Sequence, residues 1–206
     1  MARKSRIIIV GSGIVGASTA YHLAQLGWKD MVILDQGPLF ETGGSTSHAP
    51  GGVFQTNPSR MMCKFAQYTV DLLRSLSYEG KPCFHTVGGI EVSKTKERHQ
   101  DLYRKLGIAH SYGLTDAKII TPDEVLKMSP YIDPEKIHGG YYVPTDGLAA
   151  PVRAVQAMAK YVTDLKAGEF FGDTAVNGFK IQNNQIRGVQ TSKGDYEADI
   201  VPVSYT

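Results

Sequence analysis

Residues 7–16 read Ile7-Ile8-Ile9-Val10-Gly11-Ser12-Gly13-Ile14-Val15-Gly16. Four consecutive β-branched residues after Arg6 describe a short buried strand, Arg6–Val10, closed by Gly11. Ile14 to Leu26 then carries Val15, Ala20, Leu23 and Leu26 at helical intervals, and Gly27 stops it. The glycines between strand and helix have the spacing G-x-G-x-x-G. Gly11 permits the tight turn, Gly13 lets backbone approach a pyrophosphate, and Gly16 lets helix and sheet pack closely. Unpaired N–H groups at the helix start, with the positive end of its dipole, face the anion. Met31–Leu34 supplies a second apolar strand, and Asp35 ends it, 24 residues after Gly11. There it can accept hydrogen bonds from ribose hydroxyls. An acidic residue at that place disfavours NADP, while NAD and FAD both fit. The pattern predicts an α/β, Rossmann-like dinucleotide fold.

The 206 residues suffice for one large domain, or for a domain carrying an insertion. With 42% hydrophobic and 20% charged residues, the chain has an ordinary globular composition. Net charge is +2 and the basic residues are scattered, so no electrostatic footprint for nucleic acid exists. No apolar run approaches the roughly 20 residues of a membrane helix, which argues against a membrane partner. Cys63 and Cys83 are too few for a disulfide framework, and their spacing suits no zinc site. Two reduced thiols, with no leader ahead of the first strand, lead to the expectation of a cytoplasmic protein.

Gln36 to Pro58 is a long stretch rich in Gly, Ser, Thr and Pro, of a length that is usually functional. Helical spacing resumes over Arg60–Leu76. Residues 80–147 read as a separate unit. It holds a strand over Gly89–Val92, a helix over Lys96–Leu106, a helix start at Thr121-Pro122-Asp123-Glu124, and a strand over Tyr141–Val143. Ala149–Leu165 is the next helix. Glu169–Phe171, Ala175–Ile181, Gln185–Thr191 and Tyr196–Val201 follow as short strands, with Asn183-Asn184 and Lys193-Gly194 as hairpin turns. The expected division is a dinucleotide domain over 1–79 and 148–206, with an inserted unit over 80–147.

Within the long stretch lies Gly43-Gly44-Ser45-Thr46-Ser47-His48-Ala49-Pro50-Gly51-Gly52. The residues from Gln36 to His48 span at most roughly 40 Å when extended. A strap of that length can run beside an extended FAD and bring His48 to the flavin. Ser45, Thr46 and Ser47 offer hydroxyls and amides to phosphate or ribityl oxygens. His48 could be an exposed histidine without a role, a catalytic base, or a nucleophile that attaches a flavin through its 8α carbon. The other five histidines, His22, His85, His99, His110 and His138, form no metal-ligand spacing. Tyr141-Tyr142 reads as core and Asp146-Gly147 as turn chemistry. No G-x-S-x-G elbow supports a serine hydrolase.

The segments GSGIVG, LDQG and GGSTSHAPGGVFQTNPS resemble the dimethylglycine oxidase, dimethylglycine dehydrogenase and sarcosine dehydrogenase group of the D-amino-acid-oxidase-like flavoproteins. The likeness runs from Arg6 to Ile200. It includes VGGIEV (Val87–Val92), VPTDGL (Val143–Leu148) and the closing TSKGDYEADIV. The resemblance implies a glutathione-reductase-like FAD domain with a β-meander, plus part of an inserted α+β substrate domain. It implies FAD held covalently by His48. It also implies contacts from Gly11, Gly13, Ile14, Val15, Gly16, Asp35, Gln36, Ser45, Thr46 and Ser47, with Val176 meeting adenine through its backbone.

The activity implied is oxidation of an N-methyl amine, such as dimethylglycine or sarcosine, by hydride transfer to flavin. The family's catalytic His and Tyr, and its tetrahydrofolate-binding domains, fall beyond residue 206, so no catalytic residue and no metal site is expected within the chain. The terminal run Ala198–Thr206 puts Pro202 where a central parallel strand should run, and proline cannot donate to the ladder. The expectation is a truncated chain with an incomplete sheet, an exposed apolar edge and little turnover of its own. Two alternatives stand beside it: an FAD-binding fragment without activity, and an NAD-dependent Rossmann dehydrogenase.

Overall fold

The computed structural model describes residues 3–40 and 43–204. Glu41 and Thr42 of the strap, and Tyr205 and Thr206 of the terminal run, lie outside the described residues. The first elements are β1 (Arg3–Lys4), β2 (Ile7–Val10), α1 (Ile14–Gln25), β3 (Met31–Leu34), α2 (Ser45–His48), β4 (Gly52–Val53) and α3 (Arg60–Ser75). Next come β5 (Ser77–Tyr78), β6 (Lys81–Pro82), β7 (Phe84–His85), β8 (Gly89–Ser93), α4 (Lys96–Ser111), β9 (Lys118–Ile120) and α5 (Pro122–Met128). The chain continues through β10 (Gly139–Val143), β11 (Gly147–Ala149), α6 (Pro151–Asp164), β12 (Gly168–Phe171), β13 (Val176–Gln182), β14 (Gln185–Thr191) and β15 (Gly194–Glu197). Two compact units result: 1–50, 76–83 and 150–206 form one, 51–75 and 84–149 the other. Residues 51–75 thus cluster with the second unit, where the sequence reading kept them with the first.

The first unit centres on a parallel sheet of order β12-β3-β2, in which Ile7 faces Met31 and Val10 faces Leu34. Ile8, Val10, Val32 and Leu34 share a core with Val189, Tyr196 and Ala198 of the meander. Alternation along the strands turns Ile7, Ile9, Met31 and Ile33 to the other face, and these are buried too. A sheet covered on both sides needs apolar residues at every position, and this is why β2 and β3 carry no alternation. Small residues on α1 (Gly16, Ala17, Ala20 and Ala24) are buried, and α1 packs on α6, with the rings of Tyr21 and Tyr161 4.7 Å apart. The meander is antiparallel β13-β14-β15, extended by β1 parallel to β15. Asn183 and Asn184 both take the left-handed conformation of a two-residue hairpin turn. At the next hairpin Thr191 pairs with Gly194, so the turn residues are Ser192-Lys193, one position earlier than expected.

Residues 200–204 do run along β2. Ile8 N–H donates to the Ile200 carbonyl (3.0 Å), Val10 N–H to the Pro202 carbonyl (3.0 Å), and Ser204 N–H to the Val10 carbonyl (2.8 Å). Bridges pair Ile7 with Ile200 and Val10 with Val203, both parallel. The rung that Pro202 cannot make is the donation to the Ile8 carbonyl. One missing rung breaks the ladder into isolated bridges without preventing its formation. Ile200 and Val203 stay 42% and 46% exposed.

The second unit is built on the antiparallel sheet β8-β10-β9 and a smaller sheet β4-β11-β7. Cys63 of α3, Leu102 and Ala109 of α4, and Tyr141 and Val143 of β10 share its larger core. α4 runs to Ser111, five residues past the sequence expectation. Gly107 is tolerated inside it because Leu102 and Ala109, both fully buried, anchor the turns on either side. α5 begins as expected: Thr121 accepts from Glu124 N–H (3.3 Å) and Glu124 accepts from Thr121 N–H (2.8 Å), a complete capping box. Both thiols are buried and free. Among the described residues no helix is long and apolar enough to cross a membrane.

Candidate cofactor site

Gly11 turns the chain with φ +103°, a conformation that side chains with a Cβ rarely adopt. Its N–H donates to the Leu34 carbonyl (2.7 Å), tying the turn to β3. Gly13 is the cap residue of α1 and offers no side-chain cap, and the first turn of the helix contains no acid. The amides there lack intrahelical partners by construction; Ile14 N–H is taken by Thr46 Oγ1, and those that follow it, with the dipole, can face an anion. A Cβ on Gly16 would lie 1.9 Å from the Gly11 carbonyl oxygen, so only glycine lets α1 sit this close to the turn.

Asp35 is tied to the glycine turn. Its Oδ2 accepts from Ser12 N–H (2.7 Å) and from Ser12 Oγ (2.8 Å), and its Oδ1 accepts from Gly37 N–H (3.2 Å). The carboxylate therefore fixes the glycine turn from across the sheet. With about four acceptor sites on a carboxylate, one on Oδ1 is left for a sugar hydroxyl. Gln36 beside it is exposed. The next segment closes over this edge: Thr174 N–H donates to the Asp35 carbonyl (2.7 Å) and Asp173 N–H to the Gly37 carbonyl (2.9 Å). Val176 follows at the start of β13, the edge strand of the meander, half-buried against the core.

The strap is not all loop. Ser45–His48 form a single helical turn, α2, and Gly52–Val53 form β4. Thr46 Oγ1 accepts from Ile14 N–H at 2.9 Å, so the strap is fastened to the first amide of α1. Thr46 Oγ1 would also lie 3.1 Å from a Cβ on Gly13, so glycine there leaves it room. The Gly44 carbonyl gathers Ser47 N–H (3.2 Å), Ser47 Oγ (2.9 Å) and His48 Nδ1 (3.1 Å). Nδ1 also lies 3.3 Å from Ser47 Oγ; in the tautomer that donates Nδ1–H to the Gly44 carbonyl, Nε2 keeps its lone pair. His48 is exposed.

Gly11, Gly13, Ile14, Val15, Gly16, Asp35, Gln36, Ser45, Thr46, Ser47, His48 and Val176 all belong to the first unit. Direct bonds or close approach link Ile14 and Gly13 to Thr46. Ser12, the Gly44 carbonyl and Ser204 take part as well, and sequence reasoning missed them. Ser204 Oγ donates to the Gly11 carbonyl (3.3 Å). Among the described residues no group of three metal-ligating side chains exists. The groups fit a dinucleotide: glycines where backbone must approach, helix-start amides beyond the Ile14 N–H that Thr46 Oγ1 takes for a pyrophosphate, and a carboxylate with one acceptor site to spare for a sugar hydroxyl.

Residues 6–203 match the family described as DAO, FAD dependent oxidoreductase. The chain belongs to that family. It is 30% identical over 196 residues to the mitochondrial pyruvate dehydrogenase phosphatase regulatory subunit of Mus musculus, covering 94% of this chain and 22% of that protein. It is 33% identical over 179 residues to the mitochondrial dimethylglycine dehydrogenase of Homo sapiens, covering 80% of this chain and 20% of that protein. Among solved structures, the L-proline dehydrogenase of P. horikoshii superposes with a TM-score of 0.87 at 28% identity, covering 99% of this chain and 53% of that one. The chain thus spans about a fifth of the length of the curated relatives and about half of the solved one. FAD is the family's cofactor, so the NAD alternative falls. The expectation of a cytoplasmic protein is corrected too, since both curated relatives are mitochondrial. Two unpaired cysteines do not distinguish one reducing compartment from another.

Proposed function

We propose that this chain is the FAD-binding part of an oxidoreductase acting on an N-methyl amine such as dimethylglycine or sarcosine, with FAD attached covalently through His48. The likeness to dimethylglycine dehydrogenase supports the substrate class. The observation that carries the covalent link is the Nδ1 contact of His48 with the Gly44 carbonyl. With Nδ1 as donor, it selects the tautomer whose Nε2 can form a bond to carbon. On this reading Gly11–Gly16 hold the pyrophosphate and Asp35 the ribose, with Gln36, Ser45 and Ser47 beside the cofactor and the Val176 backbone against adenine. Residues 1–79 and 148–206 would serve the cofactor and 80–147 the substrate.

The flavin, when bound, supplies the hydride acceptor. This chain's residues bind and orient. Ile14 N–H and Thr46 Oγ1 lock strap to cradle, the Gly44 carbonyl holds the His48 proton on Nδ1, and Nε2 would bond the 8α carbon as one 8α C–H gives up its proton and leaves its electron pair on the flavin, to be removed afterwards by dioxygen as oxidant. Folate would belong to other parts of a longer protein. The test is yellow absorbance that stays with the protein after acid precipitation and is lost in His48→Ala. Yellow protein that releases all of its flavin into acid refutes the covalent link.

A second reading, an FAD-holding protein without turnover, is favoured by the presence of a regulatory subunit among the relatives. Oxidation of dimethylglycine or sarcosine by a full-length version that carries this chain decides between the two, because this chain by itself is expected to turn over little on either reading.

A further inference from the structure

Ser12, the residue between the first two glycines of the motif, is 3% exposed, while Asp35 across from it is half-buried. Ser12 sends both of its donors to one atom, N–H at 2.7 Å and Oγ at 2.8 Å, each to Asp35 Oδ2. Gly37 N–H takes a site on Oδ1 at 3.2 Å. The backbone behind the carboxylate is held as well. The Asp35 carbonyl accepts from Thr174 N–H (2.7 Å) and the Gly37 carbonyl from Asp173 N–H (2.9 Å). A Cβ on Gly172 would lie 2.9 Å from the Leu39 amide nitrogen and 3.0 Å from the Gly37 carbonyl oxygen, so that segment packs directly on the turn after Asp35. All of these residues belong to the first unit.

Each carboxylate oxygen has about two acceptor sites. Ser12 fills both on Oδ2, one with its amide and one with its hydroxyl. Any residue but proline could supply the amide, whereas the second bond needs the hydroxyl. Without it, the carboxylate would keep one site on each oxygen. The two neighbouring hydroxyls of a ribose could then pair with the two oxygens side by side. With it, only Oδ1 retains a site, and a second ribose hydroxyl meets an oxygen already supplied. The side chain at position 12 therefore sets how much of the sugar the carboxylate can read.

We propose that Ser12 is a specificity-determining residue of the cofactor site: its hydroxyl occupies the second site on Asp35 Oδ2, so the carboxylate reads one hydroxyl of the adenosine ribose instead of two. This rests on the reading of Asp35 as the ribose ligand and deepens it by naming the side chain that limits it.

The test is titration of the whole chain, as wild type, Ser12→Ala and Ser12→Gly, with FAD and with two FAD analogues that lack the 2′- or the 3′-hydroxyl of the adenosine ribose. Flavin fluorescence gives each reversible affinity. In wild type one analogue should bind about tenfold or more weakly than FAD, the worth of a hydrogen bond to a charged acceptor, and the other should stay within about threefold. In Ser12→Ala the amide of residue 12 and Gly37 N–H still hold the carboxylate, and both analogues should bind about tenfold more weakly than FAD. Ser12→Gly removes the same hydroxyl and should behave alike, so it serves if alanine disturbs the turn. A side chain that only filled space would change the affinity for all three ligands equally. Large and equal losses for both analogues in wild type overturn the proposal, as does an unequal pattern that survives both substitutions. Two analogues that bind wild type as tightly as FAD defeat the reading of Asp35 as the ribose ligand and, with it, the proposal.

Discussion

Replacing Gly16 by alanine is the sharpest perturbation of the cradle. The new Cβ would lie 1.9 Å from the Gly11 carbonyl oxygen and 2.8 Å from Ser204 Oγ, where real Cβ contacts essentially never fall below 3.0 Å. The first obstacle is backbone and cannot rotate away. α1 must therefore retreat from the turn by about 1 Å, which on a steep repulsive wall is the only low-energy response. That retreat loosens the packing of Ala17, Ala20, Tyr21 and Ala24, all buried. Overpacking of this kind costs about 3 kcal/mol or somewhat more, a large share of the roughly 5–15 kcal/mol that holds a domain together. It also swings the helix amides off their target. One misdirected N–H is enough for about a tenfold loss of FAD affinity. Urea unfolding followed by circular dichroism reads the first effect, and titration with FAD followed by flavin fluorescence the second. Gly107→Ala is the control: it is in α4, meets nothing within 4 Å, and should gain about 0.5–1 kcal/mol from helix propensity. A Gly16→Ala protein with wild-type stability and FAD affinity would refute the claim that the turn and helix are in contact.

Thr46→Val keeps the shape of the side chain and removes the acceptor for Ile14 N–H. FAD affinity should fall about fivefold, the worth of roughly one net hydrogen bond, with little change in melting temperature. Burial raises the Asp146 carboxyl above the usual carboxylate range, against the opposing pull of the Gln55 donors. The folded state therefore holds that proton to higher pH than the unfolded state does. Stability should fall as pH rises from the ordinary carboxylate range through the raised value and then level off, and Asp146→Asn should remove this slope in urea titrations at several pH values. Thr121→Ala breaks the capping box and should cost about 1 kcal/mol in the same unfolding assay.

The strand–glycine–helix cradle was legible because each of its parts is dictated locally. An apolar run marks a strand buried on both faces, three glycines mark close approaches, and Asp35 closes the next strand. The capping box at Thr121 and the Asn183-Asn184 turn were legible for the same reason. The bond from Ser12 to Asp35 was not, because a serine inside a glycine motif carries no signal of a partner on the next strand. Asp146 read as a turn residue, since Asp-Gly is a common turn pair and its Gln55 partner is 91 positions away in sequence. α4 outran its predicted end because burial of Ala109 outweighed the propensity of Gly107. Pro202 correctly marked a defect in the ladder. Its carbonyl and the amide of Ser204 still pair with Val10, so the defect is a single rung.

The central claim is that the imidazole of His48 presents Nε2 to a flavin held by the glycine cradle. Acid precipitation of the purified protein after incubation with FAD, with His48→Ala alongside, tests it most directly. The prediction is flavin absorbance that stays in the wild-type pellet and washes out of the variant, although both bind FAD before acid is added. Flavin retained equally by His48→Ala, or released by both proteins into the supernatant, would contradict it.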